Sequence, residues 1–234
     1  MIYGGPHNPH SYEDFVRGES VRGLVSALAE SSAPTGVHQR DEVLKVHIAD
    51  SVVGLEIDAV REAGRIVDLG SGAGPPGLVL AIARPEAEVV LVESVGKKCA
   101  WLDRTVEELG LENVRVAWAR AEELKDAPFD VVTARAVAAL PVLCEYAAPL
   151  LREGGSLVAW KGGVDSQEEA DGLHAAGVLG LERVEVRAVE PYQGSERRTL
   201  HVFRKVAPTP AGYPRRPGMA AKRPLSASGI RRGR

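Results

Sequence analysis

The stretch from Ile66 to Gly77 constrains this chain most, because an apolar strand leads directly into a turn with glycines at 70, 72 and 74. Glycine adopts positive φ without steric penalty, and its missing Cβ lets the backbone approach a bound ligand closely. The residues after the turn are compatible with a helix, whose first N–H groups suit a carboxylate or a phosphate. The stretch therefore predicts a nucleotide-binding turn at the end of a β-strand.

The spacing of the glycines separates the protein classes that use such a turn. The sequence has no Gly-x-x-x-x-Gly-Lys-Ser/Thr, so a P-loop is not expected. Gly72, Gly74 and Gly77 do form Gly-x-Gly-x-x-Gly, but the sixth position counted from Gly70, the first glycine of the turn, is Pro75. The dinucleotide-binding pattern is thus out of register with the end of the strand.

The pattern that fits is Asp-x-Gly-x-Gly-x-Gly, formed by Asp68 and the three glycines of the turn. It resembles the first motif of S-adenosylmethionine-dependent methyltransferases. A second apolar run ends at Glu93, 23 residues after Gly70, where a carboxylate can accept hydrogen bonds from both hydroxyls of a ribose. Ala121 and Glu122 follow a third run, at the place where this class usually reads the adenine edge.

Alternating apolar runs and helical patterns predict an α/β fold. The resemblance implies the Rossmann-like class I fold of these methyltransferases, with a mostly parallel seven-stranded sheet and helices on both faces. We expect strands at 65–69, 88–93, 114–118, 129–133, 156–160, 181–189 and 200–205, helices at 13–30, 41–55, 77–83, 96–109 and 140–151, and a turn at 152–155. The chain divides into a leader (1–36), a methyltransferase domain (37–206) and a tail (207–234).

The tail differs from the rest of the chain in charge. It contains seven of the 29 Lys and Arg residues and no acid, which leaves 22 basic against 32 acidic residues in 1–206. With five prolines and few large apolar residues, it is expected to be extended or disordered when free. Such a tail either keeps the protein soluble or contacts an anion, and RNA is the anion we favour.

Other chemistries have less support in the sequence. Cys99 and Cys144 are far apart and form no Cys-x-x-Cys, and the histidines show no metal-ligand spacing, so neither a disulfide framework nor a metal site is expected. No run of 18 apolar residues and no secretory leader is evident, which favours a cytoplasmic protein without membrane insertion. A monomer is the default for this fold.

A series of further motifs makes the resemblance specific. They are His47-Ile-Ala-Asp50-Ser51, Asp68-Leu-Gly-Ser-Gly-Ala-Gly-Pro-Pro-Gly77, Arg84-Pro85-Glu86, Ser94-Val-Gly96-Lys97-Lys98, Arg120-Ala-Glu122-Glu123, Ala134-Arg135-Ala136, Trp160-Lys161-Gly162 and Tyr213-Pro-Arg-Arg-Pro-Gly218. In this order they resemble the RsmG family, also called GidB, over roughly residues 38–218. The chain departs from the family pattern at Ala33-Pro-Thr-Gly36, Val46 and Ala49.

The resemblance implies S-adenosylmethionine as cofactor and N7 of a guanine in small-subunit (16S) ribosomal RNA as methyl acceptor. The cofactor-binding residues it implies are Asp68, Gly70, Gly72, Gly74, Pro75, Glu93, Ala121, Glu122 and Arg135. The basic residues it places around the RNA are Arg120, Arg135, Lys161 and Arg197. A guanidinium suits phosphate or guanine O6, and an ammonium acts as a point charge.

The residues themselves agree with a ring nitrogen as acceptor. N7 carries an in-plane lone pair, so the transfer requires alignment and no general base. After the fourth strand the chain has Ala134-Arg135-Ala136, where enzymes that methylate exocyclic amines have Asn/Asp-Pro-Pro-Tyr/Phe, and it lacks a Pro-Cys nucleophile. Three alternatives stay open: an NAD-dependent oxidoreductase, a methyltransferase for a small molecule or protein, and a noncatalytic RNA-binding or assembly protein on this fold.

Overall fold

Seven strands form one sheet in the computed structural model, which describes residues 12–126 and 128–228. The strands are β1 (Arg65–Leu69), β2 (Glu88–Glu93), β3 (Val114–Trp118), β4 (Phe129–Arg135), β5 (Leu151–Lys161), β6 (Leu181–Val189) and β7 (Arg198–Lys205). Their order is β3-β2-β1-β4-β5-β7-β6, with parallel pairing from β3 to β5 and antiparallel pairing of β7 with β5 and β6. This confirms the predicted fold class.

Helices cover both faces of this sheet. They are α1 (Tyr12–Arg17), α2 (Glu19–Ala29), α3 (Arg40–Glu42), α4 (Asp50–Val52), α5 (Asp58–Glu62), α6 (Gly77–Ala83), α7 (Gly96–Glu108), α8 (Leu140–Ala147), α9 (Ser166–Val178) and α10 (Met219–Lys222), with a π-helical segment Val43–Ala49 and 3₁₀ turns Val53–Glu56 and Ala121–Glu123. Across the two described ranges, no helix combines the length and apolarity needed to cross a membrane.

The central strands are apolar on both faces, as parallel strands covered by helices must be. On β1, Ile66 packs into one core with α2, α6 and α7, whereas its neighbour Val67 packs into a second core with α8 and α9. Because successive side chains of a strand point to opposite faces, each central strand serves both cores. The carboxyl ends of β1, β2 and β4 are thereby fixed side by side.

Most predicted boundaries are confirmed, and the differences have local causes. The predicted helix 13–30 is two helices, because Gly18 between them has an extended ψ of 144°. The predicted turn at 152–155 lies inside β5: Leu151 pairs with Phe129 and Ser156 pairs with Val131, so the residues between them form a bulge. The predicted helix 140–151 ends earlier, at Ala147, since the chain already pairs as a strand from Leu151.

The tail differs most from the prediction. Residues 207–228 are not extended into solvent but pack on the domain, where Ala220 in α10 is buried and Leu225 contacts the second core. Just before the tail, the buried Nζ of Lys205 donates to Leu179 O (2.8 Å) and to Thr209 Oγ1 (2.5 Å). The leader residues 1–11 and the tail residues 229–234, which include Arg231, lie outside the described residues.

We expect Phe129→Ala to destabilise the fold by about 3–5 kcal/mol, because the fully buried ring would leave a cavity in the second core. Val184→Ala is the control, since Val184 is 45% exposed on β6 and its truncation should change the free energy of unfolding by less than about 0.5 kcal/mol. Urea unfolding of both variants measures the difference. Equal effects would contradict this assignment of the core.

Candidate active site

The glycine turn follows β1 directly and has the backbone that only glycine adopts easily. Gly70, Gly72 and Gly74 have φ of 65°, 58° and 107°. A Cβ on Gly74 would lie 2.2 Å from Leu78 Cδ1, and a Cβ on Gly70 would lie 2.8 Å from a methyl group of Val137. The absence of side chains therefore lets the turn lie close to α6 and to the segment after β4, and leaves backbone to face a ligand.

Asp68 lies beneath this turn and is fully buried. Its Oδ1 accepts a hydrogen bond from Thr133 Oγ1 at 2.7 Å, and hydrogen bonds from Ser71 and the backbone of Gly77 also favour the charged form. Burial raises the pKa of Asp68 to about 6. The hydrogen bonds oppose the effect of burial and tie the start of the glycine turn to β4 and α6.

Glu93, at the end of β2, binds the backbone of the glycine turn. Its side chain is largely buried, and Oε2 accepts from Gly72 N at 3.1 Å. Oε1 accepts from Ser94 N at 2.7 Å and Val95 N at 2.8 Å. Ser94 Oγ also lies 3.5 Å from Oε1, whereas Oε2 has Gly72 N as its one donor and keeps an acceptor position for a further hydrogen bond. The predicted pair of bonds to both ribose hydroxyls would require one of these contacts to give way.

Arg135 lies at the end of β4 and is largely enclosed, with 14% of its side chain exposed. Its Nη1 donates to Asp50 Oδ2 at 2.8 Å and to Val46 O at 3.0 Å. Its Nη2 donates to Pro75 O at 3.2 Å and lies 3.3 Å from His47 Nδ1. Arg135 thus ties the π-helical segment to the glycine turn, and little of its guanidinium remains for RNA.

His47 continues this network away from the sheet. A guanidinium has no acceptor, so Nδ1 must accept from Arg135, and Nε2 then carries the proton that it donates to Thr35 Oγ1 at 2.9 Å. Burial, with a smaller effect of the Arg135 charge, lowers the pKa of His47 to about 4. Both ring nitrogens are therefore occupied, and the imidazole is neutral at pH 7.

Asp50 joins the same network to β5 and β7. Its carboxylate is buried and its Oδ1 lies 3.6 Å from Arg198 Nε on β7, while its backbone oxygen accepts from Trp160 Nε1 at 2.7 Å. Sequence reasoning assigned no role to His47 or Asp50. The signal was present in the His47-Ile-Ala-Asp50 motif, since a helical spacing of three places both side chains on one face.

The remaining predicted basic residues fall into two groups. Lys161 is partly buried at the end of β5, where its Nζ pairs with Glu168 Oε1 at 2.6 Å and donates to Ala138 O at 3.2 Å. Arg120 and Arg197 are exposed, and Arg197 adopts a left-handed backbone with φ of 62°. The structure therefore does not gather the four cations into one exposed cluster.

Ala121 and Glu122 form the start of a 3₁₀ turn after β3. Glu122 Oε1 accepts from the backbone N–H of Gly218 in the tail at 2.8 Å. Burial, together with the charge of Glu122 and a hydrogen bond to it, raises the pKa of Tyr146 to about 12. The carboxylate expected beside adenine is thus also the point where the tail and α8 meet.

Trp118, at the end of β3, was not anticipated as a site residue. It is 74% exposed, and its indole N–H donates to Ser94 O at 3.1 Å, which fixes the ring beside the β2–α7 connection.

Among residues 12–126 and 128–228, no group of three or more His, Cys, Asp or Glu side chains is arranged to hold a metal ion.

The sheet order, the glycine turn after β1 and the acid at the end of β2 define a Rossmann-like class I methyltransferase fold. The solved structure of the 16S rRNA methyltransferase KamB shares this fold, with a TM-score of 0.52, and the match covers 61% of this chain and 88% of that chain. The two sequences are 16% identical, so this likeness concerns the fold alone.

Sequence comparison identifies the family. The model of GidB, rRNA small subunit methyltransferase G, matches residues 23–198. Ribosomal RNA small subunit methyltransferase G of Rubrobacter xylanophilus is 46% identical over 83% of this chain and 77% of its own length. The protein of the same name from Roseiflexus castenholzii is 45% identical over 82% of this chain and 83% of its own length. The chain belongs to the rRNA small subunit methyltransferase G family, which confirms the resemblance seen in the motifs.

We expect the stability of the protein to depend on pH through His47. Its folded pKa of about 4 lies below the ordinary value of 6.5, so its contribution is present above pH 6.5 and is lost as the pH falls towards 4. Between pH 7.5 and pH 5 the contribution of His47 to the free energy of unfolding should fall by about 2 kcal/mol. His47→Gln, which keeps an acceptor for Arg135, should remove that part. Urea unfolding at both pH values measures it, and an equal pH dependence in the variant and the wild type would contradict it.

Proposed function

We propose that this protein transfers a methyl group from S-adenosylmethionine to N7 of a guanine in 16S ribosomal RNA. The observation that carries the proposal is the glycine turn held between Glu93 and the buried Asp68, in a chain that belongs to the rRNA small subunit methyltransferase G family. We further propose that the protein acts as a monomer in the cytoplasm, with 16S ribosomal RNA or the small ribosomal subunit as its partner.

The residues of the site fit this cofactor. The side-chain-free turn provides backbone close to the ligand, and the buried Asp68 carboxylate holds the start of that turn in place. Glu93 retains acceptor capacity for a ribose hydroxyl, and Ala121–Glu123 lies after β3, where adenine is expected. When bound, S-adenosylmethionine supplies an electrophilic methyl group on a sulfonium. Arg135 acts on this site through Pro75 O, by holding the turn in position.

The electrostatics of the site favour an acceptor that needs no deprotonation. His47 contacts Arg135, and both nitrogens of its imidazole are engaged in hydrogen bonds. It therefore does not serve as a general base, and N7 does not require one, because its lone pair attacks directly once the two substrates are aligned. The chain contributes alignment and the exclusion of water.

Exposure divides the roles of the four basic residues. Arg120 and Arg197 are exposed, and we assign them to phosphate and base-edge contacts with the RNA. Lys161 is paired with Glu168 and bonded to Ala138 O, so we assign it to shaping the segment after β4. Arg135 has the corresponding role at the glycine turn.

Transfer of labelled methyl from S-adenosylmethionine to purified small subunits that lack their own N7-methylguanosine tests the proposal. Nucleoside mass spectrometry then identifies the product. Label in N7-methylguanosine would establish donor and acceptor atom together. Cofactor binding without any label would instead favour the alternative of a noncatalytic RNA-binding or assembly protein on this fold.

We expect Glu93→Ala to weaken S-adenosylmethionine binding at least tenfold, because the variant loses the ribose acceptor and the anchor of Gly72. RNA affinity should be unchanged. Isothermal titration calorimetry measures the first quantity and filter binding the second. Glu107→Ala, at an exposed position of α7, is the control. Equal cofactor affinity of Glu93→Ala and wild type would remove the ribose role.

The exposed cations of the tail should contribute to RNA affinity. Lys222 and Arg223 lie on the solvent side of the docked tail. We expect the double variant Lys222→Ala/Arg223→Ala to bind a 16S RNA fragment more weakly and with a shallower salt dependence, since each lost phosphate contact lowers the slope by roughly 0.7–0.9. An unchanged slope in titrations at several salt concentrations would assign these residues to solubility.

A further inference from the structure

The tail is attached to the domain by an ion pair between Arg215 and a buried acid, Glu145. Arg215 Nε lies 2.9 Å from Glu145 Oε1, and Arg215 Nη2 lies 2.5 Å from Glu145 Oε2. The backbone N–H of Arg215 donates to the same carboxylate at 3.0 Å. Glu145, on α8, is 1% exposed, so without Arg215 its charge would be buried and uncompensated. Arg215 of the basic tail therefore compensates the buried charge of Glu145.

Three residues further on, the tail reaches the candidate cofactor site. Gly218 has a left-handed φ of 80°, and this bend directs its N–H to Glu122 Oε1 at 2.8 Å. After the bend, α10 packs against α8 and buries Ala220. The segment Arg215–Gly218 thus connects the ion pair with Glu145 on α8 to the Glu122 carboxylate. Glu122 belongs to the turn that we propose to contact adenine.

The contacts distinguish inward-facing from outward-facing residues in the tail. Arg215 pairs with a buried acid, whereas its neighbour Arg216 is exposed. A tail that served RNA alone would not require a buried acid at position 145 or a second acid, Glu122, as acceptor for its backbone. Both contacts are explained if the tail also supports the domain at this place.

We propose that Arg215 and Gly218 are positioning residues for the cofactor site, and that they act through Glu122 on the turn Ala121–Glu123. This inference rests on the proposed function, in which that turn frames adenine. The ion pair with Glu145 fixes the tail, and the N–H of Gly218 fixes the Glu122 carboxylate. Tyr146, which also hydrogen-bonds Glu122, completes the support from α8.

The test compares Arg215→Ala with Arg216→Ala, which removes the same charge one residue away. S-adenosylmethionine affinity is measured by isothermal titration calorimetry in the full-length protein. We expect a loss of at least fivefold for Arg215→Ala, a change of less than twofold for Arg216→Ala and an intermediate value for Arg215→Lys. In steady-state assays, Arg215→Ala should raise KM for the cofactor while kcat at saturating cofactor stays within twofold. A lower kcat with unchanged KM would overturn the proposal.

A double-mutant cycle with Glu122→Ala tests whether the tail acts through Glu122. We expect Glu122→Ala to weaken cofactor binding, and Arg215→Ala to add less than twofold in that background. If the double variant lost affinity by the product of the two single losses, the tail would act by another route, and the proposal would be overturned. Weakened binding in Glu122→Ala with wild-type affinity in Arg215→Ala would refute the inference and spare the proposed function. Failure of the proposed function would show separately, as absence of methyl transfer by the wild type.

Discussion

The ion pair between Arg135 and Asp50 holds together the elements that surround the glycine turn. Asp50 is almost fully buried, and its charge is compensated by the guanidinium 2.8 Å away. Removing one partner of such a pair commonly costs about 3–5 kcal/mol, because the other charge is left buried. The other donors of Arg135 reach Val46 O and Pro75 O, so one side chain fixes the π-helical segment, the end of β4 and the glycine turn.

The same network determines what chemistry the site supports. Arg135 occupies Nδ1 of His47 and Thr35 occupies Nε2, and burial lowers the pKa of the imidazole to about 4. His47 therefore offers no free nitrogen as a general base, which agrees with the proposed methylation at a ring nitrogen. Arg135 and the docked tail both contact elements that surround the candidate cofactor site.

Much of the fold was predictable because periodicity and turn chemistry are local properties. The bounds of β1, β2, β3, β6 and α6 are those expected from apolar runs and glycines. The π-helical segment Val43–Ala49 was not predictable, since its apolar pattern is that of an ordinary helix. The docking of the tail was missed for another reason: proline content and charge describe a free segment, and neither reveals Glu145 and Glu122 as its acceptors.

The sequence by itself determined the class of fold, the family and the positions of the glycine turn, Asp68 and Glu93, because these depend on spacing along one strand and its neighbour. Only the tertiary structure decided how each charge is used. Arg135 and Arg197 are equally basic in the sequence, yet one is enclosed by acceptors from distant segments and the other is exposed. The burial and pairing of a charged side chain depend on contacts between residues far apart in the chain, which residue type and local spacing do not reveal.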